Sequence, residues 1–246
     1  MATYFISDLH LSEKHPNQAQ LFFDFMTNTA PKADALYILG DFFNIWIGDD
    51  DLCEFHQRVI DTLNQFSKTG TPLYFMHGNR DFLIGDDFEK AAGFELLNDP
   101  SVVEIYGEKV LLAHGDGLCL DDKRHLRFRG FTQSWLIKKI FLSLSLSRRR
   151  NMAKKIREHS HGQEYVASDI RWDVTHAETL RLMRRYQVKT LIHGHTHRPS
   201  LHYFQMDGES VCRVVLSDWG SQGNVLIWEN DGTKRLVYFG GGGVLS

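Results

Sequence analysis

Five short hydrophobic runs in this chain each end on residue types that coordinate metal ions. The first leads into Asp8-Leu9-His10 and the second into Gly40-Asp41. The third gives His77-Gly78-Asn79-Arg80-Asp81, the fourth His114-Gly115-Asp116, and the fifth His193-Gly194-His195-Thr196-His197. Mixed carboxylate, imidazole and amide-oxygen donors suit Mn²⁺, Fe²⁺ or Zn²⁺, whereas Mg²⁺ and Ca²⁺ favour all-oxygen sites. Residues i and i+2 of a strand face the same way, so Asp8/His10 and His195/His197 are expected to aim in pairs if strand geometry persists through them. The adjoining glycines permit tight turns and close backbone approach. A carboxylate such as Asp41 can bridge two ions about 3.5–4 Å apart, the separation used for in-line phosphoryl displacement. Any one of these elements alone is a common solvated loop or turn. Five in succession, each closing an apolar run, point to a metal centre.

The elements that must position these residues can be read from the same pattern. Strand-like β-branched and aromatic runs cover 3–6, 35–39, 72–76, 109–113, 189–192, 213–216, 224–228 and 236–239. Helical periodicity marks 18–29, where Leu21, Phe22, Phe25 and Met26 share a face, and 52–69. Strand and helix alternate through the first half, which predicts parallel pairing with helices outside. Parallel strands carry their C-terminal ends to one edge, where ligands bind, so residues distant in sequence would meet there. Asp231-Gly232 reads as a hairpin turn between the last two runs. The expectation is an α/β fold of two packed sheets flanked by helices. Residues 120–185, poor in strand signals and rich in arginine and lysine, read as a helical insertion standing over the body.

Bulk composition narrows the function classes. The chain has 246 residues, 42% apolar and 24% charged, which fits one large domain with an insertion. A net charge of −3 provides no general field for nucleic acid, and nucleic-acid binding is not expected. Three scattered cysteines (Cys53, Cys119 and Cys212) and no CxxC spacing argue against a disulfide framework and for a reducing compartment. Residues 1–5 have no basic or long apolar leader, so export is not expected. The apolar stretch 135–146 is broken by Lys138 and Lys139 and falls short of the roughly 20 residues of a membrane span. It has the composition of an interfacial segment, although such a stripe is more often helix-packing core. The run Gly240–Gly243 reads as a flexible tail.

The ordered set Asp8-x-His10, Gly40-Asp41, Gly78-Asn79, His114 and Gly194-His195-x-His197 resembles the calcineurin-like metallophosphoesterase superfamily, from residue 4 to about 219. Longer segments are similar, within it, to the UDP-2,3-diacylglucosamine pyrophosphatase family of lipid A biosynthesis. They are 5–11 (FISDLHL), 35–43 (ALYILGDFF), 46–50 (WIGDD), 77–85 (HGNRDFLIG) and 191–199 (LIHGHTHRP). The resemblance implies a four-layer α-β-β-α sandwich of two mixed sheets with a helical insertion over about 120–185. It implies two divalent cations, Mn²⁺ before others. One would be held by Asp8, His10, Asp41 and His197, the other by the shared Asp41 with Asn79, His114 and His195. It further implies water attack at the α-phosphorus of UDP-2,3-diacylglucosamine, releasing UMP and 2,3-diacylglucosamine 1-phosphate, at the cytoplasmic face of the cell membrane and in peripheral contact with its lipid.

Arg80 stands where many superfamily members carry a histidine, and its guanidinium fork can grip phosphate oxygens. With the seven ligands it completes the implied catalytic set, while Asn79, Arg80, Asp122, Arg157, Ser160 and His195 are the implied substrate contacts. Departures from the lipid family's pattern occur at Asn44, His125, Glu164, Ala167 and Ser217. None removes a ligand; they bear on headgroup recognition. Two other readings keep the fold but change the role: a phosphodiesterase or pyrophosphatase for a soluble nucleotide, and a metal-bound scaffold without catalysis.

Overall fold

A computed structural model describes residues 1–120, 123–132, 134–161 and 174–240, with backbone alone at 123–126, 128 and 157–161. The strands are β1 (Ala2–Ile6), β2 (Ala35–Leu39), β3 (Leu73–Met76), β4 (Glu95–Leu97), β5 (Ser101–Ile105), β6 (Glu108–Ala113), β7 (Thr190–His193), β8 (Ser200–Met206), β9 (Glu209–Val215), β10 (Gly223–Glu229) and β11 (Lys234–Phe239). The helices are α1 (Pro16–Asn28), α2 (Glu54–Ser67), α3 (Asp86–Ala92), α4 (Lys123–Thr132), α5 (Trp135–Leu142), α6 (Leu146–His161) and α7 (His176–Tyr186).

Two mixed sheets result. The first runs β11-β10-β1-β2-β3-β4, with β1 to β4 parallel and β10 and β11 antiparallel. The second runs β5-β6-β7-β9-β8, with β6, β7 and β9 parallel between antiparallel edges. Period-two alternation splits β1 between two cores: Phe5 faces the other sheet, whereas Tyr4 and Ile6 face the helices. Phe5, Tyr37, Leu39, Met76 and Trp228 from the first sheet meet Val110, Leu112, Ile192 and Val214 from the second. Outside the first sheet, α1 packs Phe22, Phe25 and Met26 and α2 packs Val59 and Leu63. Outside the second, α7 packs Leu182 and Met183 on Leu111 and Leu191. Strands buried on both faces explain why the central runs read as continuously apolar. The layers are helix, sheet, sheet, helix, the four-layer α/β sandwich expected from the sequence.

The Asp231-Gly232 hairpin joins β10 to β11 as expected. Two further hairpins, at Tyr106-Gly107 and Asp207-Gly208, are two-residue turns with positive φ at both positions. They close β5-β6 and β8-β9, and β4, β5 and β8 are strands additional to those predicted.

Helices α5 and α6 are tied to the loops after β3 and β2. Lys138 donates to the Phe82 carbonyl at 2.8 Å. Arg149, 2% exposed, donates to the carbonyls of Ile47 and Leu144 and to both oxygens of Asp50. Within the loop after β2, Asp49 accepts the N–H groups of Gly85 and Phe88 and so caps α3, whose own N-cap is a glycine. No α5 residue is fully buried, and Trp135 is 72% exposed. Among the described residues no helix is long and apolar enough to cross a membrane.

Candidate metal centre

The ligand candidates follow the C-terminal ends of β1, β2 and β3 in one sheet and of β6 and β7 in the other, so both sheets present them at one edge. Their aim differs from the strand alternation predicted for Asp8/His10 and His195/His197. Strand pairing stops at Ile6 and His193, and five of the seven candidates lie in the left-handed region: Asp8 (φ 57°), His10 (48°), Asp41 (49°), His195 (66°) and His197 (53°). Only three other non-glycine residues in the described chain share that conformation. Asp and His tolerate it better than branched side chains, and such strain concentrates at functional sites, where packing over-determines it.

These turns bring the side chains together. Asp8 Oδ1 lies 3.3 Å from His197 Nε2 and 4.0 Å from His10 Nε2, and those two nitrogens are 3.4 Å apart. Asp41 Oδ1 is 3.6 Å from His114 Nε2, and its Oδ2 is 4.0 Å from His10 Nδ1. Asn79 Oδ1 lies 3.0 Å from His114 Nε2, and the His195 ring sits 5.2 Å from that of His114. Donor atoms of Asp8, His10 and His197 fall within 4.8 Å of one another, as do those of Asp8, Asp41 and His114. Asp41 therefore faces both halves of the cluster, and Asp8 adjoins both.

Each donor atom is fixed from behind. Asp8 Oδ2 accepts Ser7 Oγ–H at 2.5 Å and the His195 N–H at 2.8 Å, leaving Oδ1 turned to the centre. His114 Nδ1–H donates to the Leu39 carbonyl at 2.9 Å, so Nε2 faces inward. His197 Nδ1 lies 3.7 Å from Asp218. Asp81, fully buried, accepts the N–H groups of Gly78 and Phe42, both at 2.7 Å, and so ties the loop after β3 to the loop after β2. Gly78 and Gly194 let the loops close: an added Cβ would lie 2.2 Å from the Asp41 nitrogen or 2.0 Å from Ser7 Oγ. Ser7, Asp81 and Asp218 escaped the sequence reading as supports. For Ser7 and Asp81 the only signal was adjacency to a ligand motif, and Asp218 lies away from all of them.

Charges in the cluster are strongly coupled. Burial opposes ionisation of Asp8, but the hydrogen bond and charge of His197, with His114 and His10, hold its carboxyl far below the usual range. Burial raises Asp41, with Asp8 adding to the effect against His114 and Arg80. His10 is driven well below the normal histidine range by burial and the Arg80 charge. Burial lowers His114, yet Asp41, Asp8 and Asp116 outweigh it and carry it up to about 9. Two nearly inaccessible carboxylates thus face four imidazoles, and His10 Nδ1 is buried with no hydrogen-bond partner among the described residues. Divalent cations fit: they would offset the carboxylates and occupy the orphaned nitrogen, and the O/N donor set suits Mn²⁺-type ions.

Arg80 sits at the mouth, 43% exposed, its Nε 3.4 Å from Asp41 Oδ2. Its Nη1–H donates to Asn44 Oδ1 at 3.0 Å, so this departure from the lipid family's pattern orients the guanidinium without neutralising it. Asp122, Glu164 and Ala167 lie outside the described residues, as do the side chains of His125, Arg157 and Ser160.

The Calcineurin-like phosphoesterase family matches residues 1–199. The UDP-2,3-diacylglucosamine hydrolase of Aeromonas hydrophila is 48% identical over 96% of this chain and 98% of its own. The protein of the same name from Coxiella burnetii is 47% identical, covering 96% and 97%, and that from Pseudomonas aeruginosa 45%, covering 97% and 99%. The chain is a member of the calcineurin-like phosphoesterase family, a family of metal-dependent phosphoester hydrolases, and stands among its UDP-2,3-diacylglucosamine hydrolases.

Proposed function

We propose that this chain hydrolyses the pyrophosphate of UDP-2,3-diacylglucosamine with the help of two divalent cations, Mn²⁺ before others. The observation that carries the reading is the meeting of carboxylate, imidazole and amide donors from five strand ends at one edge. Asp8, His10, Asp41 and His197 would hold one cation, and Asp41, Asn79, His114 and His195 the other. When bound, the cations supply an activated water and Lewis-acid neutralisation of phosphoryl charge.

The chain's own residues do the rest. Asp41, turned to both halves, sets their separation. The Arg80 fork, held by Asn44, faces the phosphate path and offsets charge that grows on the non-bridging oxygens. Water attack at the α-phosphorus yields UMP and 2,3-diacylglucosamine 1-phosphate. The segment about 120–185 is read as a helical insertion within a single domain, α7 being its return into the outer helix layer, with Asp122, Arg157 and Ser160 as its headgroup contacts. Phe131, Trp135, Leu136, Ile140, Met152 and Ile156 are all exposed on α4 to α6. So much exposed apolar surface supports peripheral contact with the cytoplasmic face of a membrane and with the acyl chains.

Hydrolysis of UDP-2,3-diacylglucosamine in ¹⁸O-labelled water tests the reaction. Label is expected in UMP; label in the sugar phosphate refutes attack at the nucleotide phosphorus, and no UMP release, with turnover of a generic diester, refutes the substrate. Chelation should abolish turnover and Mn²⁺ restore it. The lipid contact is tested separately at Trp135, Leu136 and Ile140. Phe141 is less suitable because it packs partly against the core. Serine at the three exposed positions should raise KM for the lipid substrate by roughly tenfold or more, since each buried apolar side chain contributes about 1.5–3 kcal/mol. An unchanged KM would favour a soluble nucleotide substrate.

A further inference from the structure

Helix α4 reaches into the metal centre through one side chain. Arg129 donates Nε–H to Asp116 Oδ2 and Nη2–H to Asp99 Oδ2, both at 2.8 Å. Asp99 then turns its other oxygen, Oδ1, to the backbone N–H of His114 at 3.1 Å. Asp116 lies two residues beyond His114. The path from α4 to a candidate ligand therefore runs through one guanidinium and one carboxylate. His114 is caught at two points, its backbone nitrogen by Asp99 and its ring Nδ1 by the Leu39 carbonyl, which leaves Nε2 a single direction.

We infer that Arg129 is a positioning residue for the His114 half of the cation pair, an inference that rests on the two-cation reading above. Asp99 and Asp116 are both screened from water, with side chains 14% and 1% exposed, and Arg129 is itself only 24% exposed. Burial makes Asp99 costly to ionise, and the like charge of Asp116 adds to that cost. The planar fork meets one oxygen of each carboxylate at once, which a lysine ammonium does not reproduce. Without the guanidinium, Asp99 is a screened charge with a repelling neighbour, and turning away from Asp116 takes the acceptor from the His114 N–H.

The other half of the cluster is supported without Arg129, Asp99 or Asp116. Asp8 is held by Ser7 and the His195 N–H, and His197 stands beside Asp218. Loss of Arg129 therefore weakens one cation and spares the other. Helix α4 is part of how the centre is built, not only a cover above it.

Calorimetric titration of the metal-free full-length protein with Mn²⁺, alongside thermal melting, tests this. Two sites are expected for the wild type. Arg129→Met, and independently Asp99→Ala, should leave one site near wild-type affinity and weaken the other by roughly 10–100-fold, the range for removing a partner that orients a ligand. Combining Arg129→Met with Asp99→Asn removes the Asp99 charge and its repulsion with Asp116 but keeps an oxygen for the His114 N–H, and should recover most of the lost affinity. Arg184→Met, whose fork pairs with exposed Asp207, is the control expected to match wild type. Two unaltered sites in both single variants overturn the inference, as does parallel weakening of both sites with a fall in melting temperature. Should Arg129→Met not fold, Asp99→Ala decides alone on the same criteria. A wild type that takes up no Mn²⁺ defeats the two-cation reading itself, and the inference with it.

Discussion

Asp41→Ala is expected to reduce turnover below about one-thousandth of wild type while leaving the fold intact. The carboxylate faces His10 on one side and His114 on the other, and it is 2% exposed. Asp8 also adjoins both halves, but its Oδ2 is engaged by Ser7 and the His195 N–H, so only its Oδ1 is turned to the centre. Its ionised form is disfavoured by burial, so at neutral pH folding bears a cost that alanine removes. Against that stands the loss of one acceptor for the Arg80 N–H, worth about 1 kcal/mol. The melting temperature of the metal-free variant should therefore stay within a few degrees of wild type. UMP release and thermal melting, measured on the same preparation, check both halves. Residual activity above a few per cent would show that Asp41 does not join the two halves.

Gly78→Ala should be nearly as damaging, for a steric reason. A Cβ there would meet the Asp41 backbone nitrogen and Oδ1 at 2.2 Å, distances that side-chain rotation cannot relieve. The loops after β2 and β3 must separate, and Asn79 and Asp41 move apart with them. Overpacking of this kind costs about 1–3 kcal/mol, so the melting temperature should fall by several degrees and activity by roughly 100-fold or more. Gly220→Ala, with open space around its Cβ, is the matched control. A Gly78→Ala protein with the wild-type kcat would mean that this close approach does not position the carboxylate.

The central strands were legible because burial on both faces makes their runs continuously apolar, and the ligand motifs stood out because each closes such a run. What escaped has a common cause. β4, β5 and β8 are edge strands; β5 alternates exposed Val102 and Glu104, and β8 carries Tyr203 and Gln205 at its surface, so neither resembles a buried run. Asp207-Gly208 is the same turn signal as Asp231-Gly232 and was readable, but without a recognised strand before it there was nothing to join. At the centre, residue types and spacing pointed to five motif-bearing strand ends and the family resemblance named seven of their side chains, while their aim was misread. Left-handed turns at Asp8, His10, Asp41, His195 and His197 replace strand alternation, because both sheets must bend their chain ends toward a common point. Asp99 was beyond reach from sequence, since it touches His114 only through tertiary pairing of the β4–β5 connection with β6.

The two sheets are separate hydrogen-bonded units that meet through apolar side chains, and each contributes part of the cluster. At the active edge, polar ties such as His114 to Leu39 and His195 to Asp8 pull the two halves toward each other. Farther in, the bulk of Phe5, Tyr37 and Val214 holds the halves apart. Each proposed cation site draws donors from both sheets, so the span across each site would be a calliper reading of the filling's thickness. Residues with no part in the chemistry can widen or narrow it, and so bias which ionic radius the centre accepts.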